Sequence, residues 1–157
     1  MAENNAVRIR EAVVRYRGSR RRVVGAMRSP EDVARFVRGV IGNDAREHFV
    51  AILLDGRHRP IAYQVVSIGT ATASLVHPRE VFQAAVGIGA VAVIVAHNHT
   101  SGDPSPSRED REVTDRLNRA GEVMGIRLLD SVVVADSGFH SIREEDPAVF
   151  EQAPSRS

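Results

Sequence analysis

The stretch VAVIVAHNHTSGDPSPSRED, residues 91–110, decides how the rest of the chain is read. Val91 to Ala96 is a continuous apolar, β-branched run that follows a helical segment and ends in polar residues. Such a run predicts a central strand buried on both faces. Thr100 to Pro106 is a Gly/Pro/Ser loop. Ser107 is placed to cap a helix to about Met124, with Val113, Leu117, Ala120 and Val123 or Met124 as its core stripe.

Upstream, Ser29-Pro30-Glu31-Asp32 has the order of a helix start: a Ser cap, Pro at the first helical position, acids in the first turn. The helix places Val33, Phe36, Val37, Val40 and Ile41 on one face and ends at Gly42-Asn43. His48 to Asp55 and Ile61 to Ile68 are apolar runs of strand length around a Gly56–Pro60 turn, a hairpin. A short strand is expected around Ala73 to Val76, then a helix from His77-Pro78 to about Gly87. Downstream, Ile126 to Ala135 is another strand, Asp136-Ser137-Gly138 a turn, and Phe139–Ile142 a last strand before a polar tail from Glu144. Hairpins mixed with helix-connected strands predict an α/β sandwich with a mixed sheet. There is no internal repeat and no linker long enough to separate a pair of domains.

Composition narrows the chemistry. The length of 157 residues suits one domain, and 43% hydrophobic with 26% charged residues is ordinary for a globular chain. No apolar run approaches the roughly 18 residues of a membrane span. The start MAENNAVRIR has no apolar segment after a basic one, so a cytoplasmic location is expected. With no cysteine, disulfides, thiolate metal sites and cysteine nucleophiles are excluded. All 21 basic residues are arginine, which also excludes a lysine Schiff base. The net charge of +1 gives no general reason to expect a polyanion partner. Eight arginines from Arg8 to Arg28 nevertheless crowd an N-terminal arm, residues 1–28, against only Glu3 and Glu11. Such an arm could contact phosphates, although only Tyr16 is interleaved to stack bases, so weak nucleic-acid binding is the most it suggests.

The chemistry concentrates in His97-Asn98-His99, seven residues, then Ser107-Arg108-Glu109-Asp110. Side chains alternate along a strand, so His97 and His99 point the same way, beyond the end of a buried strand. The loop returns the chain to a helix start with Asp110 in its first turn. Two imidazoles and a carboxylate leave a fourth position for water, the donor set of a catalytic zinc site. Ser107 caps the helix, and its hydroxyl is also a candidate donor to a developing oxyanion. The tripeptide H-N-H is not the nuclease motif of that name, whose residues are spread over tens of positions. Zinc deaminases fail too, for want of a Pro-Cys-x-x-Cys segment.

H-x-H, seven residues, S-x-x-D resembles the JAMM metalloprotease motif. HNHTSGDPSPSREDREVT, with SIGTATASLVHPREVFQAA upstream and GIRLLDSVVVAD downstream, resembles the bacterial RadC-type branch, the JAB domain. The resemblance covers residues 29–145, leaving 146–157 as a polar C-terminal tail. It implies an MPN fold (JAB, cytidine-deaminase-like), an α/β three-layer sandwich with a mixed sheet. It also implies Zn²⁺ on His97, His99 and Asp110, and a glutamate at the start of an early strand as general base; Glu47 occupies that place. RadC proteins usually carry an N-terminal helix-hairpin-helix-like region, which is expected to be missing or vestigial here.

The chain departs from its relatives at Gln64, where many have Glu, at Thr100, a usual Pro, and at Ser131, a usual His. An amide cannot act as a base. The expectation is a zinc-dependent hydrolase of peptide or isopeptide amide bonds. The rival expectations are a DNA-repair-associated nucleic-acid-binding protein and a metal-retaining interaction module without protease activity.

Overall fold

A computed structural model describes residues 11–13, 15, 17, 18, 25–69 and 76–151. The elements are α1 (Pro30–Ile41), β1 (Glu47–Leu54), β2 (Pro60–Gly69), α2 (Pro78–Ile88), β3 (Ala92–Asn98), α3 (Arg108–Met124), β4 (Arg127–Ala135), β5 (Gly138–Ser141) and α4 (Ile142–Glu145), with a 3₁₀ turn over Pro147–Phe150. The five strands form one sheet in the order β2-β1-β3-β4-β5. β3 and β4 run parallel; the other neighbours are antiparallel. The mixed sheet expected from the sequence is therefore present. Helix α3 bridges the parallel pair, as a parallel connection requires.

Strand alternation divides the core in two. Phe49, Ala51 and Leu53 of β1 and Val93 and Val95 of β3 face α2 and α3, packing on Val81, Phe82, Ala85, Val113 and Leu117. Val50, Ile52, Leu54, Ala92, Ile94 and Ala96 face the other way, onto Val33, Ala34 and Val37 of α1. The result is three layers, with the sheet between α1 and the α2/α3 pair. The strands at its centre are apolar on both faces for this reason. Ser29 caps α1 in a capping box with Asp32, and Phe36, Val40 and Ile41 pack partly buried against its core, on the face read from the sequence.

Two expectations are corrected by packing. Val123 is 89% exposed and Met124 45%, so the core stripe of α3 does not reach its last turn. The buried residues run Asp110, Val113, Thr114, Leu117, Asn118, Gly121. At Gly121 the following chain crosses so closely that a Cβ would meet the Ile126 carbonyl oxygen at 2.3 Å. The chain turns away after that point, and its last helical residues face solvent. The polar tail expected from Glu144 is also partly folded: its first residues complete α4 and the 3₁₀ turn. The cause lies in β4, where Leu129 is an extra residue between the pairs Val93↔Leu128 and Ile94↔Asp130. Arg143 takes up the carbonyls at this bulge, donating to Leu128 O (3.3 Å) and Leu129 O, with its guanidinium 4.3 Å above the Phe150 ring.

The expected short strand falls mainly on residues 73–75, outside the described residues, as do most of the basic arm and residues 152–157. Among the described residues no helix is long and apolar enough to cross a membrane.

Candidate metal centre

Val93, Val95 and His97 are successive residues on the α3 face of β3, so the strand that builds the core delivers an imidazole at its end. His97 is 2% exposed, and the ring of Phe49, its partner in β1, lies parallel to it at 5.8 Å between centroids. Asn98 turns to the opposite face and His99 returns. The His99 amide still bonds Val134 O of β4 (2.8 Å), which keeps the backbone extended through the second histidine.

The loop that follows is tied down by groups that sequence reasoning missed, because no residue-type pattern points to them. His99 Nδ1 lies 2.9 Å from Asp103 O. Only an N–H can serve a carbonyl, so this contact protonates Nδ1 and leaves Nε2 with its lone pair. Ser137 Oγ donates to Gly102 O (2.7 Å) and Arg111 Nη1 to Pro106 O (2.7 Å). Arg111 also pairs with Glu145 of α4 (3.1 Å), linking the loop to the folded start of the tail.

Ser107 caps α3, accepting from Asp110 N at 3.1 Å, while Asp110 Oδ2 accepts from Ser107 N at 2.7 Å. This capping box aims the carboxylate back across the helix start. Asp110 is 3% exposed and continues the buried stripe of α3, so it meets the end of β3. His97 Nε2 is 2.9 Å from Asp110 Oδ1, His99 Nε2 is 3.1 Å from Asp110 Oδ2, and the two Nε2 atoms are 3.1 Å apart. Burial alone would raise the Asp110 carboxyl. The hydrogen bonds from His97 and from Ser107 outweigh it and hold the group below the usual carboxylate range.

A group of His97, His99 and Asp110 that could hold a metal ion is thus present, one ligand atom from each within 4.8 Å of the others. The donor chemistry fits. Two imidazole nitrogens and a carboxylate oxygen, the ligand types that divalent zinc takes, converge beside one another. His99 keeps 18% of its side chain exposed, against 2% for the other two, so solvent reaches the centre from its side. A cleft of about 400 Å³ lies beside His99 on the α1 side of the sheet, lined by Arg38, Asp44, Asn98, His99, Thr100 and Asp136 among others; His97 and Asp110 do not line it.

The remaining candidates lie around this centre. Glu47 begins β1 opposite Gly69, half-buried. It is two residues before Phe49 and so shares the face of Phe49 and His97. Its carboxylate makes no hydrogen bond or ion pair among the described residues. Gln64 pairs with Ala51 on the same face, and its Oε1 is buried without a hydrogen-bond partner among the described residues. Thr100 is exposed, and Ser131 is buried in β4 beside Val95.

The fold and the site define a class: an α/β domain with a mixed sheet and a two-histidine, one-aspartate centre at the end of its central strand. Within that class the chain belongs to the RadC-like JAB domain family, which it matches over residues 27–147. A UPF0758 protein of Rubrobacter xylanophilus is 50% identical over 116 residues, covering 74% of this chain and 51% of the relative. One of Symbiobacterium thermophilum is 52% identical over 116 residues, covering 74% and 50%. One of Bacillus licheniformis is 45% identical over 119 residues, covering 76% and 53%. The chain spans about half the length of these curated relatives.

Proposed function

We propose that the chain is a Zn²⁺-dependent hydrolase of the JAMM type that cleaves amide bonds in peptides or isopeptides. The observation that carries this reading is the convergence of His97 Nε2, His99 Nε2 and Asp110 on one buried point that solvent reaches past His99. Two imidazoles and one carboxylate are a catalytic zinc set with room for water. When bound, Zn²⁺ supplies Lewis acidity and brings the pKa of a water toward about 7.

The chain's own residues then have separable tasks. Glu47 accepts the proton of the attacking water and returns it to the leaving amine. Its carboxylate has no competing partner among the described residues, as a base requires. Ser107 Oγ receives the Asp110 amide with a lone pair, and its hydroxyl hydrogen stays free to donate to the carbonyl oxygen as that atom gains charge. Phe49 walls the His97 ring from water. Gln64 can hydrogen-bond but cannot ionise, so it orients rather than titrates.

The test is metal content together with turnover. Protein purified and loaded with zinc is expected to hold about one ion per chain and to hydrolyse members of a panel of fluorogenic peptide and isopeptide amides. His97→Ala/His99→Ala is expected to lose both. Zinc retained undiminished in that variant would overturn the centre. Full zinc occupancy, no turnover on any amide and tight nucleic-acid binding at physiological salt would overturn the hydrolase reading in favour of a nucleic-acid-binding protein.

A further inference from the structure

We infer that Asn98, the middle residue of the His-Asn-His tripeptide, is a positioning residue: its side-chain amide grips the backbone on both sides of Glu47 and holds that carboxylate on the face of the metal ligands. The inference rests on the reading of Glu47 as the base.

The need for such a grip follows from the sheet. Backbone pairing between β1 and β3 ends at Phe49↔His97. Beyond it, β3 stays with β4 through His99 N and Val134 O (2.8 Å), while Glu47 and His48 of β1 form no ladder pair with β3. Asn98 fills that place. Its Oδ1 accepts from His48 N at 2.6 Å and its Nδ2 donates to Arg46 O at 3.0 Å. One acceptor and one donor on a planar amide is the hydrogen-bonding inventory of a peptide group, so the side chain continues the ladder that the main chain has left. The bonded groups belong to residues 46 and 48, so the pair brackets Glu47. On its other side Glu47 is held by β2, opposite Gly69.

Alternation makes one tripeptide serve both ends of the chemistry. His97 and His99 face α3 and meet Asp110, while Asn98 faces away and reaches the strand that carries Glu47. Glu47 in turn points to the His97 side, one step along from the Phe49 ring stacked on His97. His48, 5% exposed, braces the same turn through Nδ1, which lies 2.9 Å from Arg46 O. The Arg46 carbonyl therefore takes two donors, one for each lone pair.

The experiment follows Glu47 without a substrate, using Zn²⁺ alone as the probe. In uniformly ¹³C,¹⁵N-labelled protein the Glu47 carboxylate carbon, assigned by its loss in Glu47→Gln, is expected to shift when an equimolar amount of Zn²⁺ is added. In Asn98→Ala the His97 and His99 ring signals are still expected to respond to zinc. The His48 amide is expected to exchange with solvent about ten-fold faster, as loss of one hydrogen bond allows. The Glu47 carbon is expected to stop responding. Asn98→Thr, which suits a strand but lacks the amide, gives the same reading if the alanine variant does not fold. A Glu47 response equal in wild type and variant would overturn the role of Asn98 and leave the base standing. A wild-type Glu47 carbon indifferent to zinc would overturn the base and the positioning role together.

Discussion

Among single residues, Asp110 carries the most constraints. One oxygen closes the capping box on Ser107 N at 2.7 Å, and the other faces His97 Nε2 at 2.9 Å. The cap is therefore built into the geometry of the candidate metal centre, yet its two members are separable. Asp110→Ala is expected to abolish zinc binding. Ser107→Ala is expected to keep zinc, to lower stability by about 0.5–2 kcal/mol through the lost cap, and to cost about 10²–10³ in rate through the lost oxyanion donor. Zinc titrations showing equal loss in the two variants would contradict this division. Glu47 offers the complementary test. Glu47→Gln is expected to retain zinc and fold but to lose about 10²–10⁴-fold in turnover, as removal of a general base does. An active Glu47→Gln variant would overturn the proposed role of Glu47 as base.

Among the elements, the ends of α3 and α4 hold the domain's tolerances. Gly121 is the point where α3 yields to the chain that follows, with a virtual Cβ 2.3 Å from Ile126 O and 3.2 Å from the Phe82 ring. Gly121→Ala, ordinarily favourable within a helix, is expected to destabilise here by about 1–3 kcal/mol, as overpacking does; urea denaturation would measure it, and a more stable variant would refute the close approach. Asp130 anchors the other end, accepting from Ser141 Oγ (2.6 Å), Ser131 N (2.7 Å) and Arg143 N (3.2 Å). Burial raises its carboxyl above the usual value of 3.8 despite these donors. A group whose folded pKa is raised contributes stability that is fully present below its unfolded pKa and is lost as pH rises through the folded one. Between 3.8 and that raised value, Asp130 should therefore favour the fold more as pH falls. Denaturation midpoints compared over mildly acidic pH should show this contribution in the wild type and not in Asp130→Asn; parallel curves would refute it.

In the molecule as a whole, the centre joins β3 to α3, two elements that meet only when the sheet and its helical layer assemble. An ion held there binds the folded chain and not the unfolded one. Zinc at 100 times its Kd is expected to stabilise the domain by about 2.7 kcal/mol, seen as a rise in Tm of several degrees. His97→Ala/His99→Ala should show no such rise, and a shift preserved in that variant would mean that zinc acts elsewhere. The order of the main strands and helices, the two-sided burial of β3 and the identity of the three candidate ligands are legible in the amino-acid order alone. These are periodic or local signals: apolar runs, helix caps, a two-residue step between imidazoles, an acid three residues after a cap. What holds the centre in place emerges only once the chain is folded. The Asp103 and Pro106 carbonyls that fix His99 and the loop and the Asn98 grip on β1 depend on which backbone groups come to lie opposite one another. Backbone carbonyls carry no residue-type signature, and strand register, shifted at Leu129 in β4 and twice more between β1 and β2, sets their positions. For the same reason Phe150 had no legible role in the chain, although it lies under Arg143 once the bulge has presented that arginine with its carbonyls.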